Sequence, residues 1–169
     1  MPLRVGTRAS QLAKAQAVKV CTLLEDLGVE TELVFISTAG DEQTGVPLHE
    51  IGGQGVFVRA LDDALEQNKI DLAVHSMKDI PAERPSGLVT SAILARDSPC
   101  DYIVTDQGLD EITTIGTSST RRTAQCRRHL PWAEIKPLRG NVNTRLSKLQ
   151  RGEYDAIMLA KAGLERLSM

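Results

Sequence analysis

The sequence predicts an α/β fold with parallel-rich mixed sheets and helices on both faces. Short apolar runs suited to buried strands alternate with helical stretches along the whole chain. Several of those runs lead directly into a turn that opens a helix, the order a parallel sheet requires. No repeat or low-complexity segment interrupts the alternation.

The elements follow in chain order. Leu3–Gly6 reads as a short strand, and Thr7-Arg8-Ala9-Ser10 follows with Ser10 as an N-cap. Leu12, Ala15, Val18, Leu23 and Leu24 form a helical stripe that Gly28 ends. Val29–Ile36 is a strand with polar alternation at Glu30 and Glu32. Residues 37–55 are loop, broken by Gly40, Gly45, Pro47, Gly52, Gly53 and Gly55. Val56–Gln67 is helical. Ile70–Val74 suits a buried parallel strand, and His75-Ser76-Met77-Lys78-Asp79 leaves its end. Leu88–Leu94 and Tyr102–Thr105 are further strands. Ile115-Gly116 precedes Thr117-Ser118-Ser119 and a helix over 120–129. Glu134–Leu138 is a strand, and Arg139-Gly140-Asn141 leads into a helix ending near Gly152. Asp155–Ala160 is a strand and Lys161–Leu167 starts a last helix. A composition shift at Ala95-Arg96-Asp97-Ser98-Pro99 marks a domain boundary, giving one lobe over 1–95 and a second over 96–169.

Composition narrows the function. The chain has 169 residues, 41% hydrophobic and 25% charged, with net charge −2, an ordinary globular composition rather than a disordered one. No apolar run approaches the roughly 18 residues of a membrane helix. Met1–Gly6 carries no apolar signal region, so the cytoplasm is the expected compartment. Cys21, Cys100 and Cys126 are odd in number and far apart, which argues against a disulfide framework or a metal site. Five aromatics are too few for stacking-based recognition of single-stranded nucleic acid.

Charge is uneven. Residues 1–95 carry 8 basic and 13 acidic side chains, and residues 96–169 carry 12 and 9. Within 115–151, nine basic residues, seven of them Arg, face the single acid Glu134. Arg pairs bidentately with carboxylate or phosphate, so this segment reads either as an anion site or as a solvated helix face. Three strand-to-helix turns, at Thr7–Ser10, Thr117–Ser119 and Arg139–Asn141, offer free N–H groups, hydroxyls and guanidinium groups to an anion. Each also reads as plain N-capping by Ser10, Ser118 or Asn141. Asp79 ends a strand beside Lys78 and before Ile80-Pro81. It reads as a carboxylate for a developing cation, or as a turn-forming Asp. His75 reads as a packed, hydrogen-bonded core histidine. Gly52-Gly53-Gln54-Gly55 lacks the Lys-Ser/Thr of a phosphate loop and suits a lid or a close backbone approach.

Taken together, Thr7-Arg8-Ala9-Ser10, Ile51-Gly52-Gly53-Gln54-Gly55-Val56-Phe57, Val74-His75-Ser76-Met77-Lys78-Asp79-Ile80-Pro81, Gly116-Thr117-Ser118-Ser119-Thr120-Arg121-Arg122 and Leu138-Arg139-Gly140-Asn141-Val142-Asn143-Thr144-Arg145-Leu146 resemble porphobilinogen deaminase, also called hydroxymethylbilane synthase. Glu153-Tyr154-Asp155-Ala156-Ile157 and Ala162-Gly163-Leu164 continue the resemblance, which runs in order from residue 3 to 167.

The resemblance implies two small lobes like type II periplasmic binding proteins. It implies a transferase of porphyrin and haem biosynthesis that condenses four porphobilinogen molecules into hydroxymethylbilane with release of ammonia. It implies a dipyrromethane cofactor held on a cysteine in a third domain, with neither that cysteine nor that domain in this chain. A missing C-terminal domain or a separate chain would supply them, and the chain alone is expected to be inactive. By motif position Asp79 is the catalytic carboxylate. Arg8, Ser10, Lys78, Thr117, Ser118, Ser119, Arg121, Arg122, Arg139, Asn141, Arg145 and Arg166 bind the acetate and propionate groups of substrate and cofactor. Gln54 stands where many relatives carry Lys. Expected partners are porphobilinogen and the growing polypyrrole, with no nucleic acid, membrane or metal. A non-catalytic anion- or solute-binding module of the same architecture is the competing reading.

Overall fold

The computed structural model describes residues 1–37 and 58–169. The Gly52-Gly53-Gln54-Gly55 loop and the first residues of the Val56–Gln67 helix lie outside the described residues. The chain divides into two compact units, Met1–Leu94 and Ala95–Met169.

Unit 1 holds a three-stranded sheet. Strands β1 (Leu3–Arg8), β2 (Thr31–Ile36) and β3 (Leu72–Ala73) lie in the order β2-β1-β3. Both pairings are parallel: Leu3↔Thr31 through Arg8↔Ile36 on one side of β1, and Val5↔Leu72 and Gly6↔Ala73 on the other. The parallel connections run through helices α1 (Gln11–Glu25) and α2 (Arg59–Glu66). β1 is central, and Val5 and Thr7 are fully buried. Leu61 and Ala64 of α2 pack with Ile70 against Val34, Ile36 and Ala73 of the sheet. A Cβ at Gly6 would collide with the Ile70 side chain, so the glycine permits the close approach of β1 to that cluster.

Unit 2 holds a mixed sheet of β4 (Asp101–Val104), β5 (Thr114–Gly116), β6 (Glu134–Lys136) and β7 (Ala156–Ala160), in the order β4-β7-β5-β6. β5 pairs in parallel with β6 and β7, whereas β4 runs antiparallel to β7. The first four residues of β7 are all buried, as a two-faced strand demands. Ala156 and Met158 join one core cluster with Cys126 and Leu130 of α3 (Thr120–His129). Ile157 and Leu159 join another, packed by Val142, Leu146 and Leu149 of α4 (Val142–Gln150) and by Leu164 of α5 (Lys161–Arg166). The period-two alternation along β7 therefore puts helices on both faces of this sheet.

Several boundaries differ from the sequence reading. Leu88–Leu94 forms no strand, because it finds no ladder partner among the described residues. Val89 there is 82% exposed. An apolar run makes a strand only where a neighbouring edge accepts it. β1 continues through Thr7 and Arg8, since β2 pairs with it to its end. β2 begins at Thr31 rather than Val29, because the Val29 amide returns to the Leu24 carbonyl at the end of α1. β4 covers Asp101–Val104 rather than Tyr102–Thr105. β6 ends at Lys136, where Pro137 removes the next donor.

Candidate catalytic and anion-binding sites

In unit 1 the parallel strands deliver Arg8 and the residues after β3 to the carboxyl edge of the sheet, where open α/β sheets place ligands. A small cleft opens there, lined by Arg8, Ala13, Gln16, Val74, His75, Ser76 and Asp79. Arg8 and Asp79, both singled out from the sequence, thus share one cleft. Its frame is hydrogen-bonded. Thr7 donates its hydroxyl to the Ala13 carbonyl at 3.1 Å, tying the end of β1 to α1. Ser76 donates to Gln16 Oε1 at 3.0 Å. Met77–Asp79 forms a single 3-10 turn in which the Asp79 amide bonds the Ser76 carbonyl at 2.9 Å. Lys78 is exposed and makes no ion pair with Asp79 among the described residues. Ser10 is the N-cap of α1, accepting from the Ala13 amide at 3.3 Å.

His75 differs from the sequence reading. It is packed, but its Nε2 is buried without a hydrogen-bond partner among the described residues. Burial pushes the imidazole below its ordinary value of 6.5, so the ring is neutral near pH 7.

In unit 2 the carboxyl ends of β5, β6 and β7 lie along one edge. The antiparallel register brings the start of β4, Asp101, opposite Ala160 at that same edge. The hydroxyl turn after β5 is dedicated residue by residue. Thr117 is 5% exposed and its hydroxyl accepts from the Ser119 amide at 3.2 Å. Ser118 is not a helix cap. Its hydroxyl donates to the Leu138 carbonyl at 2.9 Å and accepts from the Leu138 amide at 3.0 Å, extending the β5–β6 link beyond the ladder. Ser119 is the N-cap of α3, accepting from the Arg122 amide.

The arginines separate into distinct environments. Arg122 is 13% exposed, donates to Asp101 Oδ1 at 2.7 Å and to the Met158 carbonyl at 3.1 Å, and keeps a buried Nε without a partner. Arg121 Nη2 lies 2.7 Å from Asp101 Oδ2, with a side chain 59% exposed. Burial opposes the Asp101 charge, yet the two guanidinium groups together hold its carboxyl below the usual range. Arg166 Nε donates to Asp97 at 2.8 Å.

Arg145 is different. Its Nε donates to the Gly140 carbonyl at 2.7 Å, and no carboxylate pairs with it among the described residues. Burial first, and the neighbouring Arg122 charge second, push its guanidinium below the usual value. Gly140, at φ +114, makes the turn that presents this carbonyl, a conformation an L side chain rarely adopts. Asn141 follows as the N-cap of α4, accepting from the Thr144 amide and hydroxyl, each at 2.9 Å. Arg139 is half-buried in the same turn.

Unit 2 thus gathers Thr117–Ser119, Arg121, Arg122, Arg139, Asn141 and Arg145 at one edge. The cations of the 115–151 segment do not all belong to it. Arg127 and Arg128 sit exposed in the last turn of α3, where the helix dipole favours them. Arg151 pairs with Glu153 and Lys136 with Glu134. Sequence reasoning missed Asp101 and Asp97, the internal partners of these arginines. Both lie beside the Ser98-Pro99 break, where an Asp reads as turn chemistry. No group of three or more His, Cys, Asp or Glu able to hold a metal occurs among the described residues. No described helix is long and apolar enough to cross a membrane.

A family model described as porphobilinogen deaminase, dipyromethane cofactor binding domain, matches residues 3–169. A probable porphobilinogen deaminase of Methanosarcina acetivorans is 55% identical, over 96% of this chain and 53% of its own length. One of Archaeoglobus fulgidus is 49% identical over 100% of this chain and 60% of its own. The porphobilinogen deaminase of Acidithiobacillus ferrooxidans is 45% identical over 99% and 57%. The chain spans about half the length of the curated relatives it matches. Among solved structures, an ancestral cationic amino acid solute-binding protein superposes with a TM-score of 0.47 at 18% identity, covering 94% of this chain and 69% of that one.

Proposed function

The chain belongs to the porphobilinogen deaminase family, and from that premise we propose that it forms the ligand-handling part of an enzyme of tetrapyrrole biosynthesis. That enzyme joins four porphobilinogen molecules into hydroxymethylbilane with release of ammonia. The observation that carries the reading is Arg145, a half-buried guanidinium under the influence of the Arg122 charge, with no carboxylate of its own among the described residues. A partly desolvated cation in that position is completed by an anion, and every pyrrole of this substrate brings two carboxylates.

A dipyrromethane fits the same donors, because its ring acids are the same groups. Arg145, Arg139 and Arg121 would hold it, with the partnerless Nε of Arg122 as a further donor. When bound, it supplies a free pyrrole carbon to which the next ring is joined. No thioether is assigned to Cys21 or Cys126, which are buried. Asp79, in the cleft with Arg8, accepts the substrate pyrrole N–H and stabilises the positive charge left as ammonia departs. It then assists proton removal after coupling. Arg8 and the exposed Lys78 take ring carboxylates, which keeps a cation from neutralising Asp79.

The test is porphobilinogen consumption with the family's C-terminal part supplied, joined or as a separate chain. Asp79→Asn is expected to lower turnover at least about 100-fold while ligand still binds. Near-normal turnover removes Asp79 from the mechanism. Binding without any consumption by the unsubstituted protein favours a non-catalytic anion-binding module.

A further inference from the structure

Unit 1 contains a buried ion pair that the proposed chemistry does not use. Asp62, on the inward face of α2, is 5% exposed. Its carboxylate takes both terminal nitrogens of Arg84, Nη2 to Oδ1 at 2.7 Å and Nη1 to Oδ2 at 3.0 Å. Taking two charges out of water offsets most of their attraction, so such a pair is weak support for stability and strong support for geometry.

That geometry bears on Asp79. Upstream, the Met77–Asp79 turn is tied by the Val74 amide to the Gly6 carbonyl at 3.0 Å and by Ser76 to Gln16. Downstream, residues 80–88 have no regular structure. Beyond the Ile80 amide's bond to the Met77 carbonyl at 3.3 Å, their hydrogen-bonded tie to a helix or strand among the described residues is the Arg84–Asp62 pair. His75 lines the cleft with Asp79, and its ring feels the charges of Asp62 and Arg84 as well as those of Asp79 and Arg8.

We propose that Asp62 and Arg84 are positioning residues for Asp79, their ion pair anchoring the chain beyond the Met77–Asp79 turn to α2 and so setting where the Asp79 carboxylate stands in the cleft. Its catalytic meaning rests on the role given to Asp79 above, whereas the anchoring is read on the chain itself. The probe is backbone ¹⁵N relaxation of the 169-residue chain. Amides 78–80 of the unsubstituted chain are expected to have order parameters near 0.85. Arg84→Lys loses the two-pronged contact, and those amides are expected to fall below about 0.6 while Val5–Thr7 stay rigid. Should that variant fail to fold, Asp62→Leu/Arg84→Met leaves no unpaired buried charge and is expected to loosen the same three amides. Order parameters that stay near 0.85 in the double variant overturn the proposal, as does loosening that extends equally to β1. In turnover, the double variant is expected to lose about 10-fold or more in kcat with KM little changed, and an unchanged kcat also overturns it. An unsubstituted protein that turns over nothing with the family's C-terminal part supplied refutes the chemistry assigned to Asp79 and leaves the relaxation data to decide the anchor.

Discussion

Unit 1 carries its acid on an irregular segment, whereas unit 2 carries its bases on helix caps. Asp79 stands on one 3-10 turn after a strand of only two residues, Leu72–Ala73. The unit 2 donors sit on Ser119 and Asn141 caps and on a Ser118 bridge, above two core clusters. The pairing of charges differs as well. In unit 2, Arg121, Arg122, Arg151 and Arg166 are matched by the chain's own carboxylates, whereas half-buried Arg145 has no carboxylate partner among the described residues. The difference teaches that a row of arginines in sequence is not a row of vacant anion sites. The fold assigns some of them to Asp101 and Asp97, pairs Arg151 with Glu153, and leaves Arg127 and Arg128 exposed at a helix end.

That contrast can be broken most forcefully at Asp101. Asp101→Ala strands the buried Arg122 without its acid, and urea unfolding is expected to show a loss of about 3–5 kcal/mol. A loss below 1 kcal/mol means the arginines are not held by this carboxylate. A smaller and opposite effect is expected at Arg145. Arg145→Gln removes a half-buried cation repelled by Arg122, so thermal stability holds or rises while affinity for porphobilinogen falls about tenfold, roughly 1.4 kcal/mol. Arg166→Gln, already matched by Asp97, is expected to lower affinity less. Equal losses from the two variants would erase the distinction between matched and unmatched arginines.

Acid titration is expected to give the smallest effects and to separate the units by pH. The folded His75 binds its proton less readily than the unfolded chain, so unit 1 loses stability as pH falls below about 6.5. His75→Gln flattens that slope. In unit 2, Asp155 accepts from the Thr113 amide at 2.9 Å, the Thr113 hydroxyl at 2.6 Å and the Thr114 amide at 2.8 Å, which holds its carboxyl at about 2. Its contribution is complete above the ordinary value of 3.8 and is lost as pH falls toward 2. Amide exchange followed by residue between pH 7 and pH 3 checks the order. Loss in unit 2 before unit 1 contradicts it.

Much of the fold was legible in the chain. The apolar run Ala156–Ala160, the capping residues Ser10 before α1 and Asn141 before α4, and the glycines after helices all act locally. Gly28 and Gly152 take positive φ where the helices stop. Leu88–Leu94 misled for the converse reason, since its apolar character is local but a ladder partner is not. The site was legible in part. Arg8 and Asp79 line one cleft because Arg8 ends β1 and Asp79 follows β3, its parallel neighbour. The separate employment of Ser118 and Ser119 could not be read from adjacent serines, because it depends on Leu138 of another strand passing within hydrogen-bond reach.

The sequence by itself determined the alternation of strand and helix, the helix starts and stops, the family, and which residue types could meet carboxylates. These follow from side-chain volume, backbone preference and charge within a few residues of one another. Only the tertiary structure decided which charges are already satisfied, because ion pairing depends on approach across the sheet. Asp101 reaches Arg121 and Arg122 through the antiparallel β4–β7 register, Asp62 reaches Arg84 from α2, and Arg145 has no carboxylate partner among the described residues.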